Sequence, residues 1–438
     1  MARQRTSDLE TILRGIEQAG SVETFISEQL RERGFLVERR ETDGMSQREL
    51  ASYKKQLKAE AAERRELRRE AWQAYKTKHI VHLGEGVYWN DNDNFDKWDH
   101  DSAESRAAEN ELPPLDKPEQ LAELLGITIA QLRLLAFHRD TAKFVHYARF
   151  TIPKRDGSER QIWAPRPILK KAQRQILRDI LERLPVHGSA HGFLAGRSIQ
   201  SNAVNHSGAQ LVVKLDVKDF FPTITQRRVK GVFRKAGYRE QIATLLSLIC
   251  TESPREVVQH NGESYFVAIG PRCLPQGAPT SPALTNTVCL NMDRRLSGLA
   301  KSLGWRYTRY ADDMTFSVAA GKKREDDKAV GLTKLLGAAH EIVSTEGFQV
   351  HTKKTRILRP GSRQAVTGLV LNGDTAPRVP RNTRRMLRAA IHNLSVGKPL
   401  RDGETPATLR GYIAFVASTD LAAAARFTEQ LEAALSRK

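Results

Sequence analysis

The stretch Arg309-Tyr310-Ala311-Asp312-Asp313-Met314-Thr315-Phe316 limits what this chain can fold into more than any other. Aromatic and β-branched residues on both sides, Trp305 to Tyr310 and Met314 to Val318, predict two strands with Ala311-Asp312-Asp313 between them. Two unit negative charges about 4 Å apart repel by roughly 4 kcal/mol at an effective dielectric of 20. Such acids either form a solvated turn or sit partly buried against a cation.

The charge of the whole chain favours a polyanionic partner. It carries 70 Lys and Arg against 51 Asp and Glu, a net +19 with a pI near 9.9, over 438 residues of which 40% are apolar. That balance suits nucleic acid most simply, though it does not separate DNA, RNA and membrane surface. The length accommodates about three domains, each with a real core. Cys250, Cys273 and Cys289 form no C-x-x-C pair, which argues against a disulfide framework and a zinc knuckle. The first residues lack an apolar run and no stretch approaches a membrane span, so a cytoplasmic protein with no membrane partner is expected.

Residues 1–115 read as a charged helical extension. Ser7-Asp8-Leu9-Glu10 opens one short amphipathic helix ending near Gly20, and Ser21 to Arg33 forms a second. A third runs from Ser46 to about Lys78 on a narrow apolar stripe through Leu50, Tyr53, Leu57, Ala61, Leu67, Ala71 and Tyr75. Between Gln47 and Lys78 it bears ten basic and five acidic residues. Either it is a solvated helix laced with ion pairs, or a basic rod laid along RNA or a protein. Asn90 to Glu111 is acidic and reads as a linker; Asp91 and Asp93 begin like a calcium loop, but Asp96 stands where glycine is required. Trp89, Phe95 and Trp98 are expected to dock on a neighbouring surface.

From Leu115 the pattern is that of a packed α/β (α+β) domain. Two short helices flank Gly126, and Tyr147 to Ile162 predicts a hairpin turning at Asp156-Gly157 whose tip presents Lys154, Arg155 and Arg160. These cations are either merely solvated or suited to a triphosphate or template backbone. A basic helix from Leu169 to Leu184 follows. Gln210 to Leu215 is an apolar strand delivering Asp216 at its end, as an N-cap or as a functional acid. Gly270 to Asn286 is a Gly/Pro-rich loop suited to a turn or to close backbone approach to a ligand. Further on, the pattern predicts a helix at Lys328 to Thr345, strands at Phe348 to Leu358 and Val366 to Asn372, and a basic helical end with a helix at Ala407 to Ser418.

Asp216, Asp312 and Asp313, three acids from two strands, are what two-metal phosphoryl transfer requires. Two divalent ions about 3.5 to 4 Å apart serve the attacking hydroxyl and the leaving pyrophosphate, and hard oxygen ligands suit Mg²⁺. Positioning and charge neutralisation do the rest.

At this point the chain resembles a reverse transcriptase, specifically the bacterial retron type. The resemblance covers residues from about 116 to 375 and follows that family's motif order. It runs through the Lys154 to Arg160 hairpin, the Asp216 strand, Leu274-Pro275-Gln276-Gly277 with Ser281-Pro282, Tyr310-Ala311-Asp312-Asp313, and Lys354-Thr355. Asn202-Ala203-Val204-Asn205-His206 and Val366-Thr367-Gly368 match two retron signatures. One departure is His351, where the family often has Asn.

The resemblance implies a right-hand polymerase fold, with fingers at 116–208, palm at 209–375 and a helical thumb at 376–438. Asp216 and Asp312 would ligate both ions, with Asp313 as third acid and the Val217 carbonyl as a backbone ligand. Lys154, Arg155 and Arg160 would bind nucleotide together with the Asp219 and Phe220 amides. Phe221 would exclude ribonucleotides, Gln276 would contact the incoming nucleotide, and Lys354 would lie near its phosphates. Asn202, His206, Val366, Thr367, Gly368 and Arg410 would face RNA or the primer end, and the thumb would recognise an RNA stem-loop. The implied activity is copying part of a cognate structured non-coding RNA into DNA from an internal guanosine 2′-hydroxyl, leaving branched msDNA. Its implied setting is anti-phage defence with an effector protein. The alternatives are a nucleoprotein scaffold and a mobile-intron or diversity-generating reverse transcriptase, the latter disfavoured by the two retron signatures.

Overall fold

The computed structural model describes residues 2–87, 100–153, 157, 159–319, 330–359, 361–372, 376–401 and 403–436. At its centre is a four-stranded antiparallel sheet of β1 (Ala209–Asp216), β2 (Arg306–Tyr310), β3 (Asp313–Ala319) and β4 (Arg356–Leu358), ordered β2-β3-β1-β4. Val212, Val213 and Leu215 of β1 are buried, as befits an apolar strand with a neighbour on each side. Helices Gln226–Ala236, Glu240–Cys250, Ser281–Val288, Leu290–Ser302 and Val330–Thr345 share one continuous core with this sheet. Cys250, Cys273 and Cys289 are free and buried within the fold.

A long hairpin pairs Tyr147–Pro153 with Glu159–Pro165 in unbroken antiparallel register. Its expected tip at Lys154, Arg155 and Asp156 lies outside the described residues. The first helices of this region, Pro118–Leu125 and Ile129–Ala136, turn at Gly126 as expected. A second hairpin, Arg255–His260 with Glu263–Ala268, was not foreseen, although Asn261-Gly262 is the dipeptide that makes such turns.

Helices Arg381–Ser395, Pro406–Ala417 and Leu421–Leu435 form a separate cluster that includes Leu387, Leu409 and Phe427. Val366, Leu369 and the β1 residue Val212 join it, so these C-terminal helices are anchored on the central sheet by apolar packing.

The N-terminal helices Ala2–Ala19, Val22–Glu32 and Gln47–Lys78 pack around Leu13, Ile26, Leu30, Leu67 and Ala71. Ser21 and Ser46 cap the second and third, the latter in a full capping box with Glu49. Only the C-terminal half of the long helix supports this core. Tyr53 and Leu57 are only partly buried and Ala61 is exposed, while Glu60 is buried against Arg39 and Arg64.

Three expectations are corrected. Half of the acidic linker is helix His100–Glu109, docked on Gln226–Ala236 with the Arg106 Nε donating to the Lys235 carbonyl at 3.0 Å; Trp89, Phe95 and Trp98 lie outside the described residues. The strand expected from Phe348 is broken by a 3-10 turn at Thr352–Lys354, leaving only β4. Val366 to Asn372 is a tight two-residue hairpin, because Thr367 and Gly368 both take positive φ, 47° and 85°. Among the described residues no helix is long and apolar enough to cross a membrane.

Behind the sheet, His206 is fully buried and bridges two strands, its Nδ1 hydrogen-bonded with Ser317 Oγ and its Nε2 with Thr308 Oγ1, both at 2.7 Å. Burial pushes its pKa down to about 3. The folded protein therefore holds it neutral, while the unfolded chain takes up a proton near pH 6.5. This contribution to stability is full above pH 6.5 and is lost as pH falls toward 3. Denaturant unfolding at pH 7 and pH 5 should show a loss of about 2 kcal/mol that is absent in His206→Gln; equal losses in both proteins would contradict the assignment.

Candidate active site

The three acids meet at one corner of the sheet. Asp216 ends β1 directly opposite Asp313, the first residue of β3, and the Val217 amide donates to the Asp312 carbonyl at 3.0 Å. On the other side the His351 amide donates to the Asp216 carbonyl at 2.7 Å. Tyr310 pairs with Asp313, so the turn itself is only Ala311-Asp312, with Ala311 in the left-handed region at φ 54°. A residue with a Cβ rarely adopts that conformation unless its surroundings impose it.

Electrostatics explain why the corner needs cations. Burial and the neighbouring Asp216 raise the Asp312 carboxyl above its ordinary range, and burial raises Asp313 against the opposing pull of Lys214. Lys214 Nζ lies 2.6 Å from Asp313 Oδ2 and Lys354 Nζ 2.9 Å from Asp216 Oδ1. Asp312 forms no ion pair among the described residues. Two of the three carboxylates are disfavoured as anions, which favours a hard cation beside them, but Asp313 is turned to Lys214 and among the described residues no three acidic, His or Cys side chains are gathered as a metal-holding group.

In front of the acids opens a cleft of about 850 Å³. Asp216, Val217, Asp312, Asp219, Phe220, Phe221, Gln276, Lys354 and Arg160 all contribute to its wall; Asp313, turned to Lys214, does not. Phe220 is buried against Phe348, whereas its edge-on neighbour Phe221 is only half-buried and offers its ring to the cleft. The Gln276 carbonyl accepts from the Trp163 amide at 2.7 Å, tying this loop to the long hairpin. Gly277 explains the loop's glycine, since at φ 119° any Cβ would lie 2.9 Å from the Trp163 carbonyl. The close approach is to the hairpin backbone rather than to a ligand. Lys154 and Arg155 lie outside the described residues.

Of the residues expected to face RNA, Asn202, His206 and Val366 are buried, Thr367 is half-buried, and Gly368 and Arg410 are exposed. His206 and Val366 are fully buried, and both ring nitrogens of His206 are engaged, which corrects the expectation of direct RNA contact. Asn202 is 1% exposed with its side-chain oxygen and nitrogen both unpaired. Thr367 donates to the Ile199 carbonyl at 3.0 Å, and Gly368 faces the Phe415 ring. Arg410 is exposed and pairs with Glu432 at 2.9 Å. Sequence reasoning missed Lys214, although its position two residues before Asp216 puts it on the same face of β1. It also missed Phe193, an exposed aromatic at φ 60° on the cleft wall beside Tyr310.

Residues 152–385 match the reverse transcriptase (RNA-dependent DNA polymerase) family. The chain is 51% identical over 424 residues to the retron Mx162 reverse transcriptase of Myxococcus xanthus, covering 95% of this chain and 87% of that one. It is 43% identical over 289 residues to the retron Mx65 reverse transcriptase of the same organism, 66% and 65% of the two chains. To the retron Ec86 reverse transcriptase of Escherichia coli it is 33% identical over 311 residues, 70% and 86%.

The raised carboxyl of Asp312 has a testable cost. With the charged form disfavoured in the fold, the metal-free protein loses stability as pH rises from the ordinary carboxylate range through the folded-state value. Asp312→Asn should therefore raise the melting temperature of the metal-free protein at pH 7 while lowering turnover at least about a hundredfold. A lower melting temperature would contradict the crowding of charge at this corner.

Proposed function

The chain belongs to the reverse transcriptases of the retron type, and on that premise we propose that it copies part of a cognate structured non-coding RNA into DNA from an internal guanosine 2′-hydroxyl, leaving a branched RNA–DNA hybrid. It is an RNA-directed DNA polymerase, and retron enzymes of this kind act with a cognate RNA and deoxynucleoside triphosphates. The observation that carries the proposal is the single cleft on which Asp216, Asp312, Phe221, Gln276, Lys354 and Arg160 converge.

Enzymes of this family depend on divalent metal. In the proposed mechanism Asp216, Asp312, Asp313 and the Val217 carbonyl would hold two Mg²⁺ ions, whose chemistry would be to acidify the attacking hydroxyl and offset charge on the departing pyrophosphate. Arg160, with Lys154 and Arg155, neutralises the triphosphate beside the Asp219 and Phe220 amides. Gln276 orients the incoming nucleotide from a loop held to the fingers. Phe221 fills the space that a ribose 2′-hydroxyl would need. Lys354 exchanges Asp216 for the phosphates and supplies a proton to the leaving pyrophosphate.

Residues 116–208 serve as fingers, 209–375 as palm and 376–438 as thumb, with residues 1–115 as an extension. Asn202 and Thr367, beside the Ile199 helix, Gly368 against the Phe415 ring and Arg410 on the helix Pro406–Ala417 are where the RNA and primer end are held. The RNA–DNA product is taken to work with an effector protein in anti-phage defence. A pure binding scaffold would bear the cost of three crowded carboxylates without using them, which favours synthesis.

Incubating the protein with its cognate RNA and deoxynucleotides should yield cDNA that debranching enzyme releases from the RNA. Asp312→Asn with Asp313→Asn should abolish it and leave RNA affinity within about twofold; persistent synthesis would overturn the site. Phe221→Val should raise ribonucleotide incorporation about tenfold or more, and unchanged sugar discrimination would remove its gate role.

A further inference from the structure

Two residues before the catalytic turn, Arg309 is a fully buried arginine whose five N–H groups are turned inward. Its Nε donates to Asp293 Oδ1 at 2.8 Å and its Nη2 to Asp293 Oδ2 at 2.7 Å. The same Nη2 reaches Asn286 Oδ1 at 3.1 Å, and Nη1 donates to the Ala311 carbonyl at 3.0 Å. Tyr307 adds its hydroxyl to Asp293 at 2.8 Å. Asn286 and Asp293 lie on helices Ser281–Val288 and Leu290–Ser302, so two helices of the palm are joined to the turn through one guanidinium.

A second element closes on the same turn. Arg309 donates its amide to the Ser189 carbonyl and accepts from the His191 amide, both at 2.8 Å. Asn286 Nδ2 donates to the Gly192 carbonyl at 2.9 Å. Gly192 lies so close that a Cβ there would come 2.8 Å from the Ala311 nitrogen. Ala311 is thus held at its unfavourable positive φ from both sides.

We propose that the buried Asp293–Arg309–Asn286 network is a positioning device for polymerisation, fixing the Ala311 carbonyl and hence the peptide that aims Asp312 into the cleft. This rests on the assignment of Asp216, Asp312 and Asp313 as the metal-holding acids. Stability alone does not explain the network, because well-packed apolar residues commonly replace a buried ion pair without loss. What they cannot do is hydrogen-bond the Ala311 carbonyl. Lysine lacks the planar fork that grips Asp293, Asn286 and Ala311 together.

Two variants test the proposal. Asn286→Ala leaves the Arg309–Asp293 pair intact and removes its links to the side-chain amide and Gly192. Arg309→Met with Asp293→Leu refills the buried space with apolar atoms. Both should fold, with primer–template affinity measured in Ca²⁺ unchanged. In the metal-free proteins, amide hydrogen exchange across Ala311 to Met314 should accelerate at least about tenfold. The Mg²⁺ concentration for half-maximal synthesis should rise roughly fivefold and kcat should fall about ten- to a hundredfold. Wild-type exchange, an unchanged Mg²⁺ dependence in either folded variant, or activity lost only in proportion to folded protein would overturn the proposal. Asp312→Asn assayed alongside separates the two ideas: if it still polymerises, the site assignment fails whatever Asn286→Ala does.

Discussion

Repulsion among three carboxylates at one corner of a sheet is the constraint on which this structure depends. Asp216 faces Asp313 across β1 and β3, and the backbone of Asp312 is tied to that of Val217. Such crowding is stable only with positive charge nearby, and Lys214 and Lys354 provide part of it. Lys214 is half-buried within the sheet, while Lys354 stands on a short turn at the cleft mouth, more exposed. The first is the more firmly enclosed by the fold, the second the more accessible from the cleft.

The rest of the fold can be understood as what keeps that corner in place while leaving one side open. β1 is buried by a neighbour on each side and by helices. His206 joins β2 to β3 from behind. The Gln276 loop is tied to the 147–165 hairpin through the Trp163 amide, which joins two walls of the cleft. The C-terminal helices are seated on Val366 and Leu369 by apolar packing rather than by the active-site side.

Legibility in the sequence varied with how local the causes were. The acids, the hairpin that carries two of them and the caps at Ser21 and Ser46 were readable, because strand propensity, turn residues and Ser/Glu spacing act over a few residues, whereas Ser7 proved to lie inside the helix Ala2–Ala19 rather than at its start. Lys214 and Arg309 were not, because their partners come from elements far along the chain and spacing alone says nothing about them. His206 and Val366 fit motifs whose roles suggested RNA, yet burial gives them internal work. The acidic linker misled for a related reason: its charged residues hide a helix whose small face docks on Gln226–Ala236. The Asn261-Gly262 hairpin, by contrast, was legible and overlooked.

A direct test of the central claim is a Mn²⁺ titration of the protein, followed by electron paramagnetic resonance, with primer–template and a non-hydrolysable deoxynucleotide bound. The account predicts two ions per chain whose signals are lost or weakened at least about tenfold in affinity when Asp216 or Asp312 becomes Asn. Binding of the same number of ions with wild-type affinity in both variants would contradict it.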